Sequence, residues 1–171
     1  EDQISAIIAA SQDAGLVEIA NDNAPGQIVI SGATDAVNKA IDEAKAAGLR
    51  RAIKLPVSAP FHCGLMAPAA DVMRAALATS QISDAVMPVF CNVTAAAETT
   101  ADKLRDNLVT QVTARVRWHE SLIAMQAAGC RRYVELGTGK VLSGLVKRSL
   151  EDVTVVNLDG PDDLDSVMAA L

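Results

Sequence analysis

The feature that most constrains the fold of this chain is the alternation of short β-branched runs with longer segments at helical spacing. RYVEL at 132–136 and VTVVNL at 153–158 have the length and the residue types of strands. Between such runs, Trp118, Leu122 and Met125 recur at the spacing of one helix face. Strands that alternate with helices predict an α/β domain built on a parallel sheet with flanking helices.

The first 56 residues carry a different order of elements. The sequence predicts a helix at 2–14, strands at 16–20 and 27–32, a helix at 34–47 and a strand at 50–57. Pro25-Gly26 predicts that NDNAPG is a hairpin loop between the first two strands. This order is that of a split α/β sandwich that lacks its first strand. The domain boundary is expected near Pro56.

The remainder of the chain returns to the alternating pattern. Its expected elements are a helix with Leu65, Ala69, Val72 and Ala76 on one face, a strand at 86–90, a helix near 101–112, a helix that turns Val141, Leu142, Leu145 and Val146 inward, and a final helix at 161–170. We therefore expect two parts, one at 1–56 and one at 57–171.

Charge and cysteine content argue against several classes of protein. The net charge is −6 and no basic block occurs, which argues against binding to a nucleic-acid backbone. The three cysteines form no CxxC pair, so neither a zinc ribbon nor a disulfide framework is expected, as in a reducing cytosol. No apolar run is long enough to span a membrane. The chain begins at Glu1 inside a helical pattern, which suggests a piece of a longer protein.

His62 is the first candidate for chemistry, because it follows a predicted strand and a proline-rich bend and precedes a helix. Loops after strand ends carry the ligand sites of parallel sheets, and a histidine there can accept a proton near neutral pH. A hydrogen-bonded structural histidine is the alternative. A nucleophile is not evident, since the serine motif G-x-S-x-G is absent and Cys63 and Cys91 have the pattern of buried structural cysteines.

Other candidates have equally plain alternatives. Arg50 and Arg51 could bind a phosphate or carboxylate, or could be a solvated surface pair. LGTGKVLSGL at 136–145 could offer backbone N–H groups to an anion, but it fits neither the G-x-G-x-x-G nor the P-loop pattern, and a tight turn is the simpler interpretation. His119 is expected at the surface.

Five motifs in this order resemble the C-terminal half of the malonyl-CoA:acyl carrier protein transacylases: NDNAPGQIVISG, RRAIKLPVSAPFHCGLM, MPVFCNVT, VTQVTARVRWHESL and VELGTGKVLSGLVKR. The resemblance implies a partial α/β hydrolase-like core at 57–171 and, at 1–56, a ferredoxin-like small subdomain that lacks its first strand. It implies a cytoplasmic acyltransferase of fatty-acid synthesis that moves a malonyl group from coenzyme A to the phosphopantetheine thiol of acyl carrier protein. Neither a metal nor a further cofactor is implied.

The same resemblance implies roles for individual residues. His62 matches the general base of a serine–histidine dyad, and Gln111 matches the residue whose main-chain carbonyl orients that histidine. Asn23 lies in the family's polar loop beside the site. Phe61 matches a residue that favours malonyl over methylmalonyl, and Arg50 and Arg51 match a basic pair that meets coenzyme A phosphates or the acidic carrier protein.

The nucleophilic serine of this family would lie upstream of Glu1. The expected partners are therefore malonyl-CoA, acyl carrier protein and the N-terminal half of the same enzyme, with neither nucleic acid nor a membrane among them. The chain alone is expected to be inactive. The alternative function is a non-catalytic α/β module that binds a carrier protein, or an inert fragment.

Overall fold

The computed structural model describes residues 2–170 and shows an α/β fold in which helices pack on small sheets of both parallel and antiparallel strands. Within that range, the helices are α1 (Asp2–Ser11), α2 (Thr34–Ala46), α3 (Ala67–Ala78), α4 (Ala101–Gln111), α5 (Trp118–Ala127), α6 (Val141–Ser149) and α7 (Leu164–Ala170). The strands are β1 (Val17–Ala24), β2 (Gln27–Gly32), β3 (Val89–Cys91), β4 (Ala96–Glu98), β5 (Val116–Arg117), β6 (Arg132–Leu136) and β7 (Thr154–Leu158). The predicted ranges 1–56 and 57–171 each include one residue, 1 or 171, outside the described part.

The strands form three sheets in the described part of the chain. One has the order β2-β1-β5, in which β1 is antiparallel to β2 and parallel to β5. Strands β3 and β4 form an antiparallel pair, and β6 and β7 form the parallel pair that alternation predicts. The pairing of Asn21 with Val116 joins the first part of the chain to the second, because the two residues lie on opposite sides of Pro56.

The β1–β2 hairpin is tighter than the sequence predicts. Strand β1 continues to Ala24, which pairs with Gln27, so the turn consists of Pro25 and Gly26 alone. Gly26 has a φ of 74°, a value that costs glycine little because it has no Cβ. The prediction of a loop from 21 to 26 was therefore wrong: backbone pairing with β2 extends the strand through most of these polar residues.

Two apolar clusters hold the fold together. The first joins α1 and α2 through Ile7, Ala40 and Ala44, and alanine at these positions lets the two helices approach closely. The second is centred on Leu122, which is completely buried and packs with Val146 and Leu150. Trp118, Met125 and Tyr133 surround that cluster, so the predicted inner face of α5 is confirmed.

The predicted strand at 50–57 was wrong. This segment has no regular structure, and no described strand pairs with it. Ile53, Leu55 and Val57 are respectively 60%, 49% and 61% exposed, although their period of two is that of a strand with one buried face. A strand needs a lateral partner for its backbone hydrogen bonds, and residues 2–170 do not supply one here.

Smaller differences have the same kind of cause. Strands β4 and β5 were not predicted, because two or three residues are too short to show a period. Val141 is 72% exposed and Leu142 is 42% exposed, so only Leu145 and Val146 of the predicted inner face of α6 are buried. Val72, on the predicted inner face of α3, is 71% exposed. Within residues 2–170, no helix is long and apolar enough to cross a membrane.

Candidate functional site

His62 lies in the bend that leads into α3. Its φ is 60°, in the left-handed region that residues with a Cβ seldom adopt. The flanking chain is fixed by hydrogen bonds: the Cys63 thiol donates to the Pro60 carbonyl at 3.2 Å, and the Met66 N–H donates to the Cys63 carbonyl at 3.0 Å. Cys63 is fully buried, as predicted for a structural cysteine. Strained residues persist where the surroundings hold them, and they are frequent at functional sites.

The His62 imidazole is oriented by the end of α4. Its Nδ1 lies 3.0 Å from the main-chain carbonyl oxygen of Gln111. A carbonyl oxygen can only accept, so the ring proton belongs on Nδ1 and Nε2 keeps its lone pair. The ring is half-buried, and Nε2 is the nitrogen with which it can accept a proton from another group.

Gln111 supports this contact with its own side chain. The amide Nε2 of Gln111 donates to the Ala114 carbonyl at 2.9 Å, across the turn that follows α4. The N–H of Ala114 donates in turn to the Thr110 carbonyl at 3.0 Å. The carbonyl that faces His62 therefore belongs to a turn closed by both main-chain and side-chain bonds.

The structure places the predicted substrate residues on different elements. Asn23 is half-buried on β1 rather than in a loop. Phe61 is 49% exposed beside His62. Arg50 and Arg51 are exposed at the start of the irregular segment, and among the described residues neither takes part in an ion pair. The structure thus joins His62 to Gln111 and leaves Phe61 and the two arginines open on the surface of the described chain.

An ion-pair group that was not predicted from the sequence lies at the start of α5. The guanidinium of Arg117 forms a two-pronged contact with the carboxylate of Glu120, and Arg115 reaches the same carboxylate at 3.0 Å. The hydrogen bond from Arg117 lowers the pKa of Glu120, and Glu120 in turn raises the pKa of Arg117. Arg117 also donates to the Thr94 carbonyl at 3.0 Å, so this group ties α5 to the β3–β4 hairpin. The available signal was the spacing of Arg117, directly before α5, and Glu120, three residues later in its first turn.

His119 is not the surface residue that was predicted. It is half-buried, and its Nδ1 is enclosed without a hydrogen-bond partner. It lines a cavity of about 400 Å³ together with Asp22, Gly26 and Arg115. The N-terminus of α5 packs against β1, and this tertiary contact covers a position that the helical pattern alone would leave in solvent.

The carboxylate of Glu135, near the end of β6, binds the N-terminus of α6. The Glu135 carboxylate accepts the N–H groups of Leu142 at 3.0 Å and Ser143 at 2.7 Å, and it also accepts a bond from the Asn157 amide. Bonds from Ser143, together with those from Leu142 and Asn157, lower the pKa of Glu135. Two of the backbone donors at this helix start are therefore occupied, which favours the tight-turn interpretation of 136–145 over an anion site.

Metal ligation finds no support in the described part of the chain. Among residues 2–170, no group of three or more His, Cys, Asp or Glu side chains could hold a metal ion. Of the three cysteines, Cys63 is buried and Cys91 and Cys130 are half-buried, and all are free thiols.

Comparisons with known proteins give one consistent result. The chain is 44% identical over 155 residues to malonyl CoA-acyl carrier protein transacylase of Escherichia coli strain K12, which covers 91% of the chain and 49% of that relative. It is 39% identical over 161 residues to the transacylase of Bacillus subtilis strain 168, covering 94% of the chain and 51% of the relative. No protein-family model matches.

Solved structures agree with the sequence relatives. The acyl-carrier-protein S-malonyltransferase of Bartonella henselae superimposes with a TM-score of 0.94 at 39% identity, over 99% of this chain and 54% of that one. A malonyl-transacylase solved in complex with its type II polyketide acyl carrier protein gives a TM-score of 0.95 at 34% identity, over 100% of this chain and 55% of that one. The chain spans about half the length of the curated relatives that it matches. By sequence and by structure, the chain is homologous to about half of the length of the malonyl CoA-acyl carrier protein transacylases.

Proposed function

We propose that this chain contributes the general base and part of the substrate groove to an enzyme that transfers a malonyl group from coenzyme A to the phosphopantetheine thiol of acyl carrier protein. The observation that carries the proposal is the contact of 3.0 Å between His62 Nδ1 and the Gln111 carbonyl oxygen. It leaves Nε2 as a base of defined orientation, which is what a histidine needs in order to activate a hydroxyl nucleophile.

The reaction takes place in two half-reactions through a malonyl-serine ester. His62 Nε2 takes the proton of a serine hydroxyl as the serine oxygen attacks the thioester carbonyl of malonyl-CoA. The carbon–sulfur bond breaks, and the imidazolium returns its proton to the leaving coenzyme A sulfur. The phosphopantetheine thiol then loses its proton to His62 and attacks the ester, which releases the serine oxygen to take that proton back. No metal or further cofactor is required.

The serine comes from outside the 171 residues, because the chain has no G-x-S-x-G motif. We assign residues 57–171 to part of an α/β hydrolase-like core and residues 1–56 to a ferredoxin-like subdomain without its first strand. The exposed side chains of Ile53, Leu55 and Val57 support this assignment, because they recur with the period of two of a strand face although the segment is irregular and has no strand partner in the described chain.

We assign the substrate contacts to the residues that the family resemblance points to. Phe61 is 49% exposed, so its ring is available to narrow the space beside the malonyl α-carbon. Arg50 and Arg51 are available for the coenzyme A phosphates or for the acidic carrier protein, and Asn23 supplies a polar group to the groove. We place the enzyme in the cytoplasm, with no nucleic-acid or membrane partner.

A second candidate is a module that binds a carrier protein without chemistry. The absence of G-x-S-x-G from the 171 residues favours it for the chain on its own. The two candidates differ in one measurable property, since only the first predicts that His62 is required for transfer once a serine is supplied.

The test uses a fusion enzyme in which the half of the Bacillus subtilis relative that this chain does not match, expected from the family resemblance to carry the serine, precedes residues 1–171. We expect the fusion to transfer malonyl groups, and His62→Ala to lower the rate at least about 100-fold, the lower range for loss of a general base. His119→Ala, at the only other histidine, is the matched control and should retain activity. A folded fusion that transfers no malonyl, or a His62→Ala variant as active as His119→Ala, would contradict the proposal.

A further inference from the structure

We propose that Glu18 is a positioning residue for His62, a role that rests on the proposed function of His62 as the base. The carboxylate oxygen Oε2 of Glu18 accepts the backbone N–H of Gly64 at 2.7 Å, although the two residues are 46 positions apart. Gly64 lies two residues after His62. Glu18 therefore fixes the downstream end of the bend, whereas Gln111 fixes the ring.

Glu18 is well placed to act as an anchor because its own strand is firmly held. It pairs with Ser31 across the β1–β2 hairpin, and the neighbouring Val17 is completely buried. The bend comes close to this strand: a Cβ at position 64 would lie 3.3 Å from Leu16 Cδ2 and 3.6 Å from Glu18 Oε2. Glycine at 64 thus permits an approach that the Glu18 hydrogen bond then maintains.

His62 needs such an anchor on account of its backbone. A left-handed backbone conformation is unfavourable for a residue with a Cβ. His62 therefore keeps its φ of 60° only if the residues before and after it are held in place. On the upstream side, residues 51–57 have no regular structure and make no strand pairing in the described chain. The downstream flank is held by the Glu18 bond to Gly64 and by the bond from the Met66 N–H to the Cys63 carbonyl. The Cys63 thiol ties this flank to Pro60 on the upstream side.

The charge of Glu18 also suits its partner. Gly64 begins the short 3₁₀ turn Gly64–Met66 that continues into α3, so its N–H points away from the helix and lacks a partner within it. A carboxylate makes a stronger hydrogen bond to such a donor than a neutral acceptor does. Glu18, which is half-buried on β1, thus caps the start of this turn, whereas the side chain of the N-cap residue, Cys63, makes no capping hydrogen bond.

The test compares Glu18→Ala, which removes the acceptor, with Glu18→Gln, which keeps an amide oxygen. Glu151→Ala is the control, since Glu151 is exposed and uses only its main-chain carbonyl, in a bond from Gln126. Each variant is studied in two forms. In the chain of residues 1–171, ¹⁵N NMR of the His62 ring reports which nitrogen carries the proton and how well the ring is ordered. In the fusion enzyme, kcat and KM for malonyl transfer are measured.

We expect Glu18→Ala to broaden or shift the His62 Nδ1–H signal. We also expect it to lower kcat about tenfold and to change KM by no more than about twofold. A tenfold loss in kcat is the size expected for one charge-assisted hydrogen bond that orients the base. Glu18→Gln should restore most of kcat, and Glu151→Ala should change neither measurement. If Glu18→Ala leaves the His62 signals unchanged, or changes kcat no more than Glu151→Ala does, the positioning role is refuted. If the unsubstituted fusion transfers no malonyl, the proposed function fails, whereas the NMR comparison still decides whether Glu18 holds His62.

Discussion

Replacing Leu122 with alanine tests the packing that holds the second half of the chain. Leu122 is completely buried between α5 and α6, where it contacts Val146 and Leu150. Removing a fully buried leucine side chain costs about 3–5 kcal/mol, because both the transfer free energy and the contacts around the new cavity are lost. A domain of this size has a free energy of unfolding of about 5–15 kcal/mol, so the loss is a large share of the total.

Ile123 is the matched control for this substitution. It is the next residue of α5, it is 49% exposed, and Ile123→Ala removes a side chain of the same volume. About half of the transfer term is absent there, and alanine is the better helix former, so the net cost should be below about 1 kcal/mol.

Urea denaturation of residues 1–171, followed by far-UV circular dichroism, gives both free energies. We expect the Leu122→Ala variant to lose at least about 2 kcal/mol more than the Ile123→Ala variant, with similar dependence on urea concentration. Equal losses for the two variants would show that α5 does not pack through Leu122 and would refute the arrangement of α5, α6 and the β6–β7 sheet.

Two further predictions follow from the structure. Hydrogen bonds from the N–H groups of Thr100 and Thr99, each 2.8 Å, lower the pKa of Glu98 to about 2 from an ordinary value of 4.5. Because the pKa is lower in the folded chain, the stabilisation is complete above about pH 4.5 and is lost as the pH falls towards 2. In the Glu98→Gln variant, the urea concentration at the unfolding midpoint should therefore depend less steeply on pH in that window. An unchanged dependence on pH would contradict the lowered pKa of Glu98. Ile53→Ser combined with Val57→Ser should lower the free energy of unfolding of residues 1–171 by less than about 1 kcal/mol, because both side chains are about 60% exposed there. In the fusion enzyme, where we expect this segment to pair as a strand, the same double substitution should cost clearly more. Equal costs in the two forms would refute that pairing.

Local sequence patterns predict the elements that are stabilised by their own residues and near neighbours. The strand at 132–136 and the inner face of α5 agree with the sequence because β-branched runs and helical spacing coincide with burial there. The segment at 50–57 has an equally good strand pattern and yet forms no strand. A period of two shows that a segment can pair, but pairing also requires a partner at the right place, and residues 2–170 contain none.

The candidate site shows the same division. The position of His62 after a proline-rich bend is visible in the sequence, whereas its positive φ and its contact with the Gln111 carbonyl depend on how α4 packs, so only the family resemblance pointed to Gln111. The bond between Glu18 and Gly64 spans 46 residues and has no local signal, since a glutamate in a strand pattern normally faces solvent. The enclosure of His119 is likewise a consequence of tertiary packing against β1.

The most direct test of the central claim is the rate at which the malonyl-serine ester forms in the fusion enzyme. Rapid mixing with radiolabelled malonyl-CoA, acid quenching and counting of the protein-bound label isolate the half-reaction in which His62 takes the serine proton. We expect the unsubstituted fusion and His119→Ala to acquire the label rapidly, and His62→Ala to acquire it at least about 100-fold more slowly. Equal rates of labelling in the His62→Ala and His119→Ala variants would contradict the claim that His62 is the base.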